Sequence, residues 1–215
     1  RTGKNDLPTP DYVGVNGPVM KNSCINGGYP QERLIEVEAL RYLYLHNSPV
    51  SQIKNNKNRP QERTLLVVGD YLQENTSKQL ALLMTAFKDI DQSVRYIIKP
   101  HPACPINMQD LPGLNCEIST QPISELLLIS DIVYSSSVTS AAVDAYCAGK
   151  SVITILDGRI LNLSPLRGVG GVYFVSSAKE LAVAINGAEV NELGQREDYF
   201  YLDMELTRWK KWLSD

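Results

Sequence analysis

The feature of this chain that most restricts its fold is a short apolar strand cut off by prolines. The run Tyr96–Ile98 is rich in β-forming residues, and it ends in the sequence Lys-Pro-His-Pro at 99–102. Proline lacks the amide hydrogen that a sheet ladder needs, so a central strand must stop there. Lys99 and His101 are therefore predicted at the carboxyl end of a strand, which is the edge where open α/β sheets bind ligands.

A second predicted strand end, further along the chain, is rich in hydroxyl groups. The strand Asp131–Tyr134 is followed by Ser135, Ser136 and Ser137, and a helix is predicted to open directly afterwards. Hydroxyls and the backbone N–H groups of a helix N-terminus together favour a phosphate group. One cationic and one hydroxyl-rich strand end predict a site for a single nucleotide.

Alternating strands and helices predict the fold class. From residue 64 onward we predict strands at 64–68, 95–98, 115–119, 131–134, 151–156 and 172–175, and helices at 76–87, 123–129, 139–148 and 178–185. Gly149 is expected to close the helix at 139–148. The alternation, with strands that are apolar throughout, predicts an α/β fold with a doubly wound, Rossmann-like parallel sheet covered on both faces.

Three segments are predicted along the chain. They are an N-terminal segment with a linker (1–63), expected to be the remnant of an acceptor-side domain, a nucleotide-binding domain (64–190) and a C-terminal helix (191–215). In the first segment we expect a short strand at 11–17, a helix at 31–45 and a polar linker at 47–63. In the last, the tail from 202 to 213 is predicted to be helical, with an apolar stripe formed by Leu202, Leu206, Trp209 and Leu213.

Composition excludes several classes of protein. The 215 residues are 43% hydrophobic and carry a net charge of −3, which suits a globular core and argues against a nucleic-acid-binding surface. No apolar run approaches the ~20 residues of a membrane helix. The four cysteines have no metal-like spacing and are expected to be free thiols in the reducing cytoplasm. Because the chain begins with Arg1, we expect it to be part of a longer protein.

His101 is the strongest catalytic candidate. A single histidine is usually structural, but prolines on both sides of His101 fix the direction of its ring. The imidazole could donate to a phosphate or protonate a leaving oxygen. Lys99 would supply a counter-charge for phosphate.

The remaining candidates each have a plainer alternative. A serine often does no more than cap a helix, so Ser135, Ser136 and Ser137 are either capping or phosphate-binding residues. Asp144, within the helix that follows, is either a solvated residue or an acceptor for ribose hydroxyls. Gly69 permits close backbone approach at the end of the first strand, and Asp70 beside it is more simply a loop or cap residue.

Other residues and motifs carry less weight. Asp157, Arg159 and Arg167 follow the strand predicted at 151–156. We interpret them as solvated side chains in preference to phosphate ligands. No P-loop and no GxGxxG, GxSxG, HExxH or EF-hand pattern is present in the sequence. The commonest nucleoside triphosphatase (NTPase), dehydrogenase, hydrolase and metalloprotease assignments are thereby excluded.

Three stretches of sequence resemble one family. They are Lys-Pro-His-Pro at 99–102, the segment 131–137, and Asp-Ala-Tyr-Cys-Ala-Gly-Lys-Ser-Val-Ile at 144–153. Together they resemble the C-terminal nucleotide-binding domain of GT-B glycosyltransferases, of the bacterial surface-carbohydrate type that includes sialyltransferases and CDP-glycerol glycerophosphotransferases. Asp144 stands where that family has glutamate, and Ser151 where it has proline.

The resemblance implies roles and partners. His101 and the serines would bind the nucleotide phosphates, Lys99 would support their charge, and Asp144 would contact the ribose. No metal or cofactor is expected, and the donor substrate would be a nucleotide-sugar, of which CMP- and CDP-linked forms are favoured. The carbohydrate acceptor, the catalytic base and any peripheral contact with the inner face of the membrane would belong to the N-terminal part outside this chain. The resemblance also implies that the last helix crosses back to the N-terminal part, so that Trp209 and Leu213 pack on residues upstream of the linker.

Two alternatives remain open from the sequence. A non-hydrolysing nucleotide-sugar epimerase would share the fold, but its family has Asp-Ser-Gly-Gly where this chain has Ser-Ser-Ser-Val at 135–138. A non-catalytic nucleotide-binding module is the other alternative, and the replacement of glutamate by Asp144 favours it.

Overall fold

The structure is a computed structural model that describes residues 10–46, 63–136, 139–158, 161–188 and 199–214. The predicted linker lies outside the described residues, apart from Arg63. Residues 1–48 and 195–215 belong to one compact unit, called here the terminal unit, and residues 49–194 belong to a second, called the sheet unit. The assignment of the N-terminal segment to an acceptor-side domain stays a prediction.

The secondary structure of the described residues is as follows. The strands are β1 (Val13–Val15), β2 (Leu34–Glu36), β3 (Thr64–Val68), β4 (Arg95–Lys99), β5 (Cys116–Ile118), β6 (Ile132–Ser135), β7 (Ser151–Ile155) and β8 (Val172–Val175). The helices are α1 (Pro18–Asn26), α2 (Gln73–Ala86), α3 (Ile123–Ile129), α4 (Ser140–Cys147), α5 (Ala178–Asn186) and α6 (Thr207–Ser214). Short 3₁₀ turns are formed by Gln31–Arg33, Leu40–Leu45, Phe87–Asp89 and Met108–Asp110.

The described part of the sheet unit is built on six parallel strands in the order β5-β4-β3-β6-β7-β8. The predicted α/β fold with a doubly wound parallel sheet is confirmed. The chain runs outward from β3 to β4 and β5, and then crosses back to build β6, β7 and β8 on the other side. This reversal places the topological switch point between β3 and β6, where ligands of open α/β sheets bind.

Apolar residues on both faces of the sheet explain why it is buried. All five residues of β3 are buried. On one face Leu83 of α2 and Leu181 of α5 join a core cluster with side chains such as Tyr134 of β6. On the other face α4 lies against β6 and β7, and its residues 141–147 are all buried. Several of them are alanines, which let the helix approach the sheet closely.

The end of α4 shows how one residue sets a boundary. Gly149 has a φ of +71°, and its amide donates to the carbonyl of Tyr146 at 2.9 Å. Glycine adopts this left-handed conformation without the clash that a Cβ would cause. The predicted helix end at Gly149 is confirmed, and β7 can begin at Ser151.

In the terminal unit, the helix predicted at 31–45 is wrong. The stretch forms a 3₁₀ turn, then β2, then a second 3₁₀ turn. Strand β2 pairs in parallel with β1, with Leu34 opposite Val13, so its backbone hydrogen bonds go to another strand. A helical spacing of a few apolar residues does not distinguish a helix from a strand flanked by 3₁₀ turns. The pairing of β2 with β1 determines which of the two forms here. The sequence also gave no sign of α1, which has no buried residue.

The C-terminal tail differs from the prediction in part. Helix α6 begins at Thr207, because Leu206 has a φ of +54° and interrupts the helical backbone. Leu213 is 74% exposed, so the predicted apolar stripe is wrong. Trp209 does contact residues upstream of the linker, through Glu38. In the part of the chain that the structure describes, no helix combines the length and apolar character that crossing a bilayer requires.

Candidate functional site

The candidate site lies along the carboxyl edge of the sheet, where three neighbouring strands end. Lys99 is the last residue of β4, Gly69 and Asp70 follow β3, and Ser135 is the last residue of β6. The prediction that the two turns share one edge is confirmed for these residues. Since β3 lies between β4 and β6, the two predicted turns are two strand spacings apart, roughly 10 Å. Sequence reasoning had not placed β3 between them.

Lys99 is held at the β5 side of its strand. Its Nζ donates to the backbone carbonyl of Gln121 at 2.6 Å, and Gln121 follows β5 in the chain. The ammonium group therefore lies on the side of β4 away from the serines. Its role as a phosphate counter-charge stays a prediction.

His101 is fixed by the turn that contains it. Its Nδ1 accepts the amide N–H of Ala103 at 3.1 Å, and its carbonyl accepts the amide of Cys104 at 2.9 Å. The ring meets Tyr71 edge-on, with centroids 6.4 Å apart. Because Nδ1 acts as an acceptor, we infer that the proton of the neutral ring lies on Nε2, which suits a donor to a phosphate oxygen.

Gly69 joins the end of β3 to the turn after β4. Its amide donates to the carbonyl of Lys99 at 2.9 Å, and a Cβ added at Gly69 would lie 3.4 Å from the amide nitrogen of His101. The backbone that approaches Gly69 is therefore the protein's own turn. This contact brings His101 next to the β3 end.

Asp70 is the residue of this edge that sequence reasoning undervalued. It is 2% exposed, and its carboxylate accepts hydrogen bonds from the amide of Leu72 at 2.9 Å, from Nδ2 of Asn75 at 3.2 Å and from the hydroxyl of Ser136. The last bond joins β3 to β6 across the topological switch point. The signal in the sequence was an acidic residue just after a buried strand. Acidic residues are also common at this position in simple loops.

The serines are more buried than a direct phosphate-binding role suggests. Ser135 is 0% exposed, and its hydroxyl has no partner among the described residues. Ser136 is 2% exposed, with its hydroxyl directed at Asp70. Ser137 lies outside the described residues. Phosphate binding by these residues stays a prediction, and at Ser136 a phosphate would compete with Asp70 for the hydroxyl.

Gln79 of α2 also connects the same two strands. Its Nε2 donates to the carbonyl oxygens of Val68 at 3.2 Å and Tyr134 at 3.0 Å. The hydroxyl of Tyr134 donates in turn to the carbonyl of Gln79 at 3.3 Å, and burial raises the pKa of that hydroxyl far above its usual range. The carboxyl ends of β3 and β6 are thus held together by both Gln79 and Asp70.

The remaining predicted residues have mixed outcomes. Asp144 is 4% exposed within α4, so the alternative of a solvated residue is wrong, and ribose binding stays a prediction. Asp157 accepts a hydrogen bond from Lys78 at 3.1 Å, and Arg167 donates to the carbonyl of Asn162 at 3.0 Å. Arg159 lies outside the described residues. Among the residues described, no three His, Cys, Asp or Glu side chains gather into a metal-binding group; the predicted lack of a cofactor is untested.

Comparison with known proteins finds solved structures with a similar fold. No protein-family profile and no curated protein sequence matches the chain. Solved structures do match. The Anabaena protein HepE, solved with UDP and glucose, is 15% identical with a TM-score of 0.54, and the match covers 95% of this chain and 63% of HepE. The wall teichoic acid polymerase TagF is 14% identical with a TM-score of 0.52, covering 95% of this chain and 60% of TagF.

A third solved structure with this fold is an epimerase. The UDP-GlcNAc 2-epimerase of Methanocaldococcus jannaschii is 14% identical with a TM-score of 0.56, covering 95% of this chain and 62% of the epimerase. The chain thus spans less than two thirds of each of these structures. At such identities the likeness establishes the fold: the chain has the Rossmann-like α/β fold of GT-B glycosyltransferases.

Proposed function

We propose that this chain is the donor-nucleotide-binding part of a nucleotide-sugar-dependent glycosyltransferase. The observation that carries the proposal is the carboxyl edge at the switch point between β3 and β6, where the buried Asp70–Ser136 pair joins the two strand ends and the turn that holds His101 lies against Gly69. The fold is shared with HepE, which was solved with UDP and glucose. A sheet edge of this kind is where α/β proteins bind nucleotides.

The proposed roles combine those that the resemblance implies with the positions of the side chains. His101 Nε2–H would donate to the nucleotide phosphate and could protonate the leaving oxygen, with its ring held by Ala103 and Tyr71. The N-terminal end of α4 favours an anion, and Lys99 would add positive charge from the β5 side. Asp144 would accept hydrogen bonds from the ribose.

The cellular role is proposed from the resemblance of the sequence motifs. We propose bacterial surface-polysaccharide synthesis in the cytoplasm or at the inner face of the membrane, with a carbohydrate acceptor and a CMP- or CDP-linked donor. The similarity in fold to TagF, a wall teichoic acid polymerase, supports this choice. Transfer of the sugar would need the acceptor-binding part of the full-length protein.

A nucleotide-sugar epimerase is the second candidate, and the fold match to the UDP-GlcNAc 2-epimerase favours it. The sequence Ser-Ser-Ser-Val at 135–138 speaks against it. Full-length protein incubated with labelled CMP-, CDP- and UDP-sugars separates the candidates. Transfer of the sugar to an acceptor supports the proposal, release of an epimerised sugar supports the second candidate, and binding without turnover indicates a non-catalytic module.

A further inference from the structure

The hydrogen bond between Asp70 and Ser136 crosses the switch point, where β3 and β6 lie side by side. It joins Asp70, the second residue after β3, to Ser136, which directly follows β6. Both side chains are buried, at 2% exposure each. A buried polar pair of this kind is costly unless its hydrogen bonds are made, so the pair strongly favours one arrangement of the two strand ends.

Asp70 is itself held firmly on the β3 side. Its amide donates to Oγ1 of Thr76 at 2.9 Å, and the Thr76 hydroxyl donates back to the Asp70 carbonyl at 3.1 Å. Asn75 and the amide of Leu72 bind the carboxylate. Backbone and side chain are therefore both fixed by the start of α2, so Asp70 can act as an anchor for Ser136.

We infer that Asp70 is a positioning residue: through Ser136 it fixes the end of β6, and thereby the start of α4, at the edge where the phosphate binds. This inference deepens the proposed function and rests on it. Asp70 acts indirectly, because a buried carboxylate offers acceptor oxygens and no donor to a phosphate. Nothing in the proposed transfer chemistry uses Asp70 itself.

The opposite edge of the sheet offers matched controls. There Oδ2 of Asp131, just before β6, accepts the amide of Thr64 at 2.9 Å, so it joins β6 to β3 as Asp70 joins β3 to β6. Ser130, 0% exposed, donates its hydroxyl to the carbonyl of Leu126 at 2.9 Å. Asp131→Asn therefore weakens a comparable bond far from the proposed phosphate site, and Ser130→Ala removes one.

The test compares Asp70→Asn and Ser136→Ala with these two controls by amide hydrogen exchange and by calorimetry with CMP, CDP, UDP and GDP. We expect the amides of Ala141 and Ala142, in the first turn of α4, to exchange about tenfold faster in the two test variants than in the controls, equivalent to about 1.4 kcal/mol. We also expect nucleotide affinity to fall about tenfold in the test variants alone.

Exchange rates at Ala141 and Ala142 that are the same in test and control variants would overturn the inference. If Asp70→Asn does not fold, Ser136→Ala alone decides, because it removes only one hydroxyl. Wild-type protein that binds none of CMP, CDP, UDP and GDP would contradict the proposed function, while the exchange comparison would still decide whether Asp70 positions α4. Altered exchange with unchanged affinity would also overturn the inference, since the positioning would then not serve the phosphate site.

Discussion

The carboxylate of Glu38 caps helix α6, with its Oε2 accepting the amide N–H of Trp209 at 3.1 Å. Its Oε1 accepts the amide of Arg208 at 2.9 Å, and the indole N–H of Trp209 donates to the Glu38 carbonyl at 3.0 Å. Glu38 is 1% exposed. An anion at a helix N-terminus is stabilised by the helix dipole and by amides that have no partner within the helix, so two distant parts of the chain are joined here.

Glu38→Gln should destabilise the terminal unit by about 1.5–3 kcal/mol, since hydrogen bonds to a charged group are lost. Tryptophan fluorescence in a urea titration measures this, because both tryptophans of the chain, Trp209 and Trp212, lie in α6. Glu205→Gln is the control. The Glu205 side chain is 85% exposed and 3.9 Å from Lys210, and it should change stability by less than about 0.5 kcal/mol. Equal effects of the two substitutions would contradict the capping role.

Acid should destabilise the terminal unit. Burial opposes ionisation of Glu38, but the hydrogen bonds from the Arg208 and Trp209 amides outweigh it, and the pKa of Glu38 is lowered. The hydrogen bond from Lys21, opposed by burial, likewise lowers the pKa of Glu36.

A carboxylate whose pKa is lowered on folding contributes stability above its unfolded pKa and loses it as the pH falls through its folded pKa. We therefore expect the tryptophan-monitored stability to be constant near neutral pH and to fall below about pH 5. Glu38→Gln should flatten this dependence. A wild-type stability that rises on acidification would contradict the assigned direction.

Gly149→Ala should cost about 1–2 kcal/mol, because the left-handed backbone at a φ of +71° brings a Cβ against the following carbonyl. Far-UV circular dichroism during urea unfolding measures the loss. Gly158→Ala is the control, since a Cβ at Gly158 meets no atom within 4 Å and its φ lies outside the left-handed region. If both substitutions were neutral, Gly149 would not be the residue that ends α4.

Asp144→Asn should weaken a ribonucleotide more than phosphate alone. Loss of the carboxylate removes the proposed acceptor for the ribose hydroxyls, so CDP should bind about tenfold more weakly while pyrophosphate binds as before, each tenfold being about 1.4 kcal/mol. Calorimetry with CDP, 2′-deoxy-CDP and pyrophosphate measures this. Equal losses for CDP and pyrophosphate would show that Asp144 supports the helix and not the ribose.

The sheet could be predicted from the sequence because its signals are local. Each strand is a short apolar run with a clear stop, as at Lys99–Pro100, and each connecting helix has its own periodicity. The terminal unit could not be predicted in this way. Strand β2 exists because it pairs with β1, and α6 begins where Glu38, distant in sequence, caps it.

The same limit applies to the candidate site. The sequence predicted that Lys99, His101, Ser135 and Ser136 would lie at one edge, which follows from parallel strands. It could not give the order of the strands, and so it missed that β3 separates the two turns and that Asp70 binds Ser136 across the switch point. The buried state of Asp144 depends on how α4 packs on β6 and β7, which the residue types alone do not determine.

The most direct test of the central claim is calorimetric titration of this chain with CMP, CDP, UDP and GDP, supported by thermal shift. We expect one of the four to bind and to stabilise the fold, by about 2.7 kcal/mol at a hundred times its Kd. His101→Ala should lower that affinity roughly ten- to a hundredfold, since a charge-assisted hydrogen bond is worth about 1.5–3 kcal/mol. His46→Ala, the only other histidine, should leave it unchanged. Binding of none of the four, or unchanged affinity in folded His101→Ala, would contradict a nucleotide site at this edge of the sheet.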